Sequence, residues 1–181
     1  MNRLPDHPPA RRSQAGLGLI ELLAVIAVAA VLVGNSLPSL KSMVERQRLV
    51  AAAAQLETDL QLARGAAVAA NRVLQMDFPV AGRCYVLHDG APGSCRCADD
   101  GQPVCEPGTT AWRSASFAVD RPLQLASNVR SMAFDPVQGT VTPTATLRLT
   151  APVGQVRLVI NIMGRIRSCS PDAAVPGFLA C

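Results

Sequence analysis

Aromatic side chains are scarce in this chain of 181 residues: 3% of the composition, against 49% hydrophobic residues in all. Any core must therefore be aliphatic. Long polar low-complexity tracts are also missing, which argues against extended disorder outside the loops. Histidine is nearly absent. His7 sits in a Pro-rich N-terminal segment and His88 is the single one beyond it, so neither a Ser-His-Asp nor a Cys-His arrangement can be argued, and His88 reads as a strand-end surface residue. The fragment Gly16-Leu17-Gly18 does not extend to a dinucleotide fingerprint and follows no strand. No lipobox cysteine ends the apolar run, the first cysteine being Cys84. These absences point to a non-enzymatic protein without a cofactor.

What is present begins with "AGLGLIELLAVIAVAAVLVG", an apolar run interrupted by Glu21. As a helix, Leu17 to Val33 reaches about 25 Å at roughly 1.5 Å per residue, close to the hydrocarbon thickness of a bilayer. Arg3, Arg11 and Arg12 stand against Asp6 ahead of it, which places the N-terminus on the cytoplasmic side and exports the rest. A carboxylate within such a span costs about 2.5 to 3.5 kcal/mol and marks a partner that neutralises it. A plain secretory signal cleaved near Ala27-Val28-Ala29 is the alternative, but Glu21 weakens it, and cleavage there strands the apolar residues Ala30 to Val33. Gly16 followed by Leu17, with Glu21 fifth and Pro38 twenty-second from that junction, resembles the leader of type IV prepilins and type II secretion pseudopilins. The resemblance implies cleavage after Gly16 by the prepilin peptidase, methylation of the new N-terminus at Leu17, and a role for Glu21 in filament register. An ammonium on Leu17 meeting a neighbour's Glu21 in an apolar filament core gives that charge its reason. Leu17 stands where that family usually has Phe, and Gly18 where it commonly has Thr or Ser.

Beyond the span, Gly34, Asn35, Ser36 and Pro38 are expected to bend or loosen the helix. It then resumes: Leu49, Ala53, Leu56, Leu60, Ala63 and Ala67 follow i, i+3, i+4 spacing, while Glu45, Arg46, Arg48, Glu57 and Asp59 occupy other faces. Strand patterns follow at Val73 to Phe78, Arg83 to His88, Ser116 to Val119, Val129 to Phe134, Ala145 to Thr150 and Gln155 to Met163. The expected organisation is a leader over 1–16, a membrane and filament-core helix over 17–37, an amphipathic helix over 38–72 and an extracytoplasmic β-rich domain over 73–181. A helix spine against antiparallel strands makes the fold class α+β.

Six cysteines, Cys84, Cys95, Cys97, Cys105, Cys169 and Cys181, in an exported chain are expected to form disulfides. Cys169 and Cys181 flank the C-terminal tail and are expected to pair, leaving the other four to pair among themselves. The stretch from Gly90 to Gly108, rich in Gly and Pro, reads as a stapled loop. Zinc is the rival, but Cys95-Arg96-Cys97 lacks the usual two-residue gap.

Charge is unevenly spread. Residues 113–181 hold seven arginines against three aspartates, a net of +4, whereas residues 17–112 hold seven basic against nine acidic residues, a net of −2. A basic surface of this kind is a footprint for a polyanion, or else a solvated face. Its sharpest feature is Gly164-Arg165-Ile166-Arg167 behind the apolar Val159, Ile160 and Ile162. If the strand continues, Arg165 and Arg167 point to one side, about 6.6 Å apart at roughly 3.3 Å per residue, with forks suited to phosphate. Gly164 removes a side chain from the approach, and Arg148 and Arg157 are further basic candidates.

The run "MAFDPVQGTVTPTATLRLTAPVGQVRLVINIMGRIRSC", with "LETDLQLARGAAVAANRVLQ" before it, resembles the FimT/GspH family of minor pilins and pseudopilins. The resemblance implies a type IV pilin-like α+β fold, an inner-membrane anchor with a periplasmic domain, and assembly with other major and minor pilins at a pilus or cell surface. Its FimT branch is similar in ending with a G-R-x-R tail associated with DNA binding in natural transformation by type IV pili; nothing in this tail would read base edges, so binding is expected to be sequence-independent. Gly164, Arg165 and Arg167 match that tail. Its GspH branch implies a structural place near the tip of a type II secretion pseudopilus instead. The Gly90 to Gly108 segment lies outside this resemblance.

Overall fold

The computed structural model describes residues 18–79, 83–117, 123–171 and 175–181, with the side chains at 32–39 excepted. The chain divides into two units, Met1–Leu40 and Lys41–Cys181. One helix, α1 (Leu19–Ala70), runs through the N-terminal third. Gly16 and Leu17 lie outside the described residues, as do the side chains of Gly34 through Pro38, where the bend is expected. Among the described residues, no helix is long and apolar enough to cross a membrane. The expected span over 17–37 falls partly outside them.

Within the second unit the helix follows its periodicity. Leu49, Ala53, Leu56, Leu60, Ala63 and Ala67 are all buried, and each buried Leu contributes roughly 1.5–3 kcal/mol. The helix ends where Asn71 takes a left-handed conformation (φ 48°), with Arg72 N–H returning to Ala67 O at 3.2 Å, a termination that glycine and asparagine tolerate best.

Among the described residues eleven strands follow: β1 (Leu74–Asp77), β2 (Cys84–His88), β3 (Cys95–Cys97), β4 (Pro103–Cys105), β5 (Ala111–Ser116), β6 (Gln124–Ser127), β7 (Ser131–Phe134), β8 (Val141–Thr142), β9 (Ala145–Ala151), β10 (Gly154–Ile160) and β11 (Ile166–Cys169). They form a five-stranded sheet ordered β5-β2-β1-β7-β8, a four-stranded sheet ordered β11-β10-β9-β6, and the small pair β3-β4. All named pairings are antiparallel. Ala145, Leu147 and Leu149 of β9 and Val156, Leu158 and Ile160 of β10 point inward to one aliphatic core with the helix and Leu74, Met76, Leu87, Met132 and Phe134 of the other sheet. The α+β expectation holds.

Several details differ from the sequence reading. The stretch expected as a strand from Gln155 to Met163 stops at Ile160, turns over and returns as β11. Strand β5 covers Ala111–Ser116, and residues 118–119 of the strand expected from Ser116 to Val119 lie outside the described residues. The Gly90 to Gly108 segment is not a plain loop, because β3 and β4 pair within it. Disulfides join Cys84 to Cys97, Cys95 to Cys105, and Cys169 to Cys181, leaving no free thiol. The first ties β3 to β2, and the second crosses the hairpin between directly opposed residues.

Two polar residues expected at the surface are buried. Asp59, on the helix, is inaccessible; it accepts the Tyr85 hydroxyl at 2.6 Å and Arg113 Nε at 2.7 Å, so its charge is paired rather than solvated. His88 is fully buried with Nε2 at 2.8 Å from Asp77 Oδ2.

Candidate nucleic-acid interface

The period-2 alternation of β9 and β10 that sends Leu147, Leu149, Val156 and Leu158 into the core sends Arg148 and Arg157 outward, since successive side chains in a strand point to opposite faces. The β9–β10 register places Arg148 directly opposite Arg157, a spacing of about 5 Å between Cβ atoms. On the other flank Arg157 faces Cys169 and Val159 faces Arg167, so Arg167 joins the same outer face. Arg165 and Arg167 are exposed, with Ile166 between them half-buried against the core. Arg148, Arg157 and Arg167 thus share one face, and Arg165 is exposed in the turn that leads into β11; the strand does not continue from β10 as the sequence suggested.

Ion pairs occur elsewhere: Arg72 with Asp89 at 2.8 Å and Arg113 with Asp59 at 2.7 Å. Among the described residues, Arg148, Arg157, Arg165 and Arg167 have no carboxylate partner. Arg157 Nε is buried and without a hydrogen-bond partner. Like charges directly opposed across a sheet destabilise it, so this face lowers the stability of the fold.

The turn from β10 to β11 is tightly organised. Asn161 O accepts Gly164 N–H at 2.9 Å, Asn161 N–H donates to Arg165 O at 3.1 Å, and Asn161 Oδ1 accepts Arg165 N–H at 2.9 Å. Ile162 O accepts Val141 N–H at 2.8 Å, joining this turn to β8. Gly164 has φ +69°, and a Cβ there would lie 3.0 Å from Arg64 Cδ and 3.4 Å from Gly139 O. Glycine is therefore required by the backbone and by the helix side chain beneath it. Arg64 Nε donates to Gly139 O at 2.8 Å. Nothing in the sequence hints at this contact, which spans 75 residues.

A Ser-His-Asp set does assemble, out of reach of solvent. Gly90 N–H donates to His88 Nδ1 at 3.2 Å, and Ser94 Oγ lies 3.4 Å from the same nitrogen. Nε2 faces Asp77 Oδ2 at 2.8 Å. Burial pushes the Asp77 carboxyl up, but hydrogen bonds from His88, Ser131 and Gly93 N–H together hold it below the usual range. The cluster fastens the β3–β4 segment to the sheet: Gly93 N–H and Cys95 N–H both donate to Asp77. Ser94 and His88 are both buried, and the contact between them helps hold the β3–β4 segment to the sheet.

A helix whose leucine and alanine face is buried against antiparallel sheets, ahead of a C-terminal hairpin, defines a type IV pilin-like subunit. The model of the GspH family, described as type II transport protein GspH, matches residues 52–164, and the chain belongs to that family. Arg148 and Arg157 fall within the match; Arg165 and Arg167 follow directly on it. The fold is similar to the crystal structure of the Pseudomonas aeruginosa (strain PAO1) type IV minor pilin FimU, at 23% identity and a TM-score of 0.52, covering 70% of this chain and 95% of that one. The minor pseudopilin EpsH from the type 2 secretion system of Vibrio cholerae is similar at 16% identity and a TM-score of 0.46, covering 66% and 94%. No curated protein matched the sequence.

Proposed function

We propose that this protein is a minor pilin of a type IV pilus whose basic sheet face binds DNA without sequence preference and supports DNA uptake in natural transformation. The observation that carries the reading is Arg148 opposed to Arg157 on an outer face that also holds Arg167, with Arg165 exposed two residues before it and no carboxylate pairing any of them among the described residues. A like-charge cluster that costs stability is expected where a polyanion supplies the missing counter-charge. Guanidinium forks suit phosphate oxygens, and contacts confined to phosphates carry no sequence information.

The N-terminal reading completes the proposal. Prepilin peptidase cuts after Gly16, Leu17 is methylated, and the helix anchors the subunit in the inner membrane until it joins other pilins. Glu21, exposed in the first turn of α1, then meets the free ammonium of a neighbour, and Pro38 lies where the helix adapts to the filament.

The test titrates the oxidised full chain with labelled DNA at low and moderate salt, wild type beside Arg165→Gln/Arg167→Gln. Salt-sensitive binding that falls steeply in the double variant, to the residual affinity of Arg148 and Arg157, is the expected result. Failure of the folded wild type to bind at low salt would leave the second reading, a GspH-like pseudopilin with a structural role in type II secretion. That reading is favoured by the family match itself.

A further inference from the structure

Two glycines in separate turns, Gly139 between β7 and β8 and Gly164 between β10 and β11, both take left-handed conformations (φ +62° and +69°). Both also close on one side chain. A Cβ at Gly139 would lie 2.9 Å from Arg64 Nε, and one at Gly164 would lie 3.0 Å from Arg64 Cδ. Arg64 Nε donates to Gly139 O, and that oxygen is itself 3.4 Å from the Gly164 Cβ position. The Val141 N–H to Ile162 O bond closes the circuit between the two turns.

We infer that Arg64 is a positioning residue for the DNA-binding tail: it clamps the β7–β8 turn against the β10–β11 turn and so fixes where Arg165 and Arg167 are presented. This rests on the DNA-binding reading above and extends it to a helix residue that belongs to neither the tail nor the basic sheet face. The physical argument is preorganisation. Arginine side chains on a wandering turn lose more freedom on meeting a phosphate backbone than side chains whose backbone is already held. The Arg64 Nε bond to Gly139 O, the Val141 N–H bond to Ile162 O and two left-handed glycines close to the Arg64 side chain together hold the two turns.

The experiment uses the full chain, oxidised, as wild type, Arg64→Gln and Gly139→Ala. The second variant disturbs the same clamp from the other side without changing any charge, and it keeps the test alive if the first folds poorly. Amide hydrogen exchange at Val141 and Arg165 should quicken in both. DNA affinity at fixed salt should fall about fivefold or more in both, the scale of coupled neighbours. In the Arg165→Gln/Arg167→Gln background, adding Arg64→Gln should cost nothing further, because a residue that acts through the tail has nothing left to position. An additive loss in that background would overturn the proposal, since Arg64 would then be an independent phosphate contact. Unchanged exchange with unchanged affinity would overturn the clamp while leaving DNA binding in place. No binding by the folded wild type would overturn the functional reading and the proposal with it.

Discussion

Asp59, midway along the buried face of α1, accepts the hydroxyl of Tyr85 from β2 at 2.6 Å. Its other oxygen takes Arg113 Nε from β5 at 2.7 Å. One carboxylate thus ties the helix to two strands of the five-stranded sheet. Asp59→Ala removes the acceptor and leaves the inaccessible Tyr85 hydroxyl unsatisfied, a loss of about 2–4 kcal/mol. Arg113 is half exposed and adds little to this, because water screens it. Urea unfolding of the variant against wild type measures the loss; an unchanged midpoint would contradict it.

The same contact sets an alkaline limit. Burial, then the hydrogen bond and charge of Asp59, push the Tyr85 phenol far above its ordinary value of 10.0. A group whose folded pKa is raised contributes stability that is complete below its unfolded pKa and declines as pH climbs past it. Stability should therefore fall above about pH 10, and Tyr85→Phe should remove this limb while lowering stability at neutral pH. The chain has one tyrosine, so phenolate absorbance reports this group alone and should appear only as the protein unfolds.

Acid acts through Asp77. Its carboxyl is held below the ordinary 3.8 because its hydrogen bonds outweigh burial. With the folded pKa depressed, the stabilisation is present above the unfolded value and is lost as pH falls through the folded one. Thermal unfolding below about pH 4 should show a steeper decline in wild type than in Asp77→Asn, which is expected to start less stable and vary less with pH.

Arg148→Glu should move stability and binding in opposite directions. The new carboxylate would stand directly across from Arg157, replacing repulsion with attraction worth about 0.5–1 kcal/mol. DNA affinity should fall, though less than in Arg165→Gln/Arg167→Gln. A melting temperature that rises while affinity drops would separate the two roles of this face. Equal losses of affinity in both variants would mean that the patch acts diffusely.

Cys169→Ser/Cys181→Ser opens a crosslink between residues 12 apart, at a cost of about 3 kcal/mol under the chain-entropy model. Val175, inside the bridged segment and fully buried, should then exchange its amide proton faster, a change that mass spectrometry of the exchanged peptide detects.

The helix was legible because six apolar residues keep a 3.6-residue period over five turns, and tertiary packing asks for nothing else. Asp59 was not, since its partners lie 26 and 54 residues away and a single carboxylate beside an apolar stripe looks the same whether solvated or paired. Strands β9 and β10 announce themselves by alternation. Strand β5, "AWRSAS", is an edge strand with only partial burial, its one large apolar residue, Trp112, being exposed, and β8 has two residues, so neither carries a period to read. At the candidate site, the sequence marks the exposed arginines one by one. That Arg148 and Arg157 oppose each other depends on where the β9–β10 hairpin closes, and the contact between Arg64 and Gly139 spans 75 residues. Spacing along the chain holds no record of either.

The bond between Cys95 and Cys105 has a consequence for how this part of the chain tolerates change. A ribbon of three residue pairs is short enough to slip, and a slip of one would exchange its two faces. Joining directly opposed residues forbids that slip. Extra residues inserted within the turn at 98–102 leave the paired rungs untouched, whereas one residue added between Cys95 and Cys97 would draw Cys97 away from Cys84. Length variation is therefore expected at the tip of this hairpin and not in its legs.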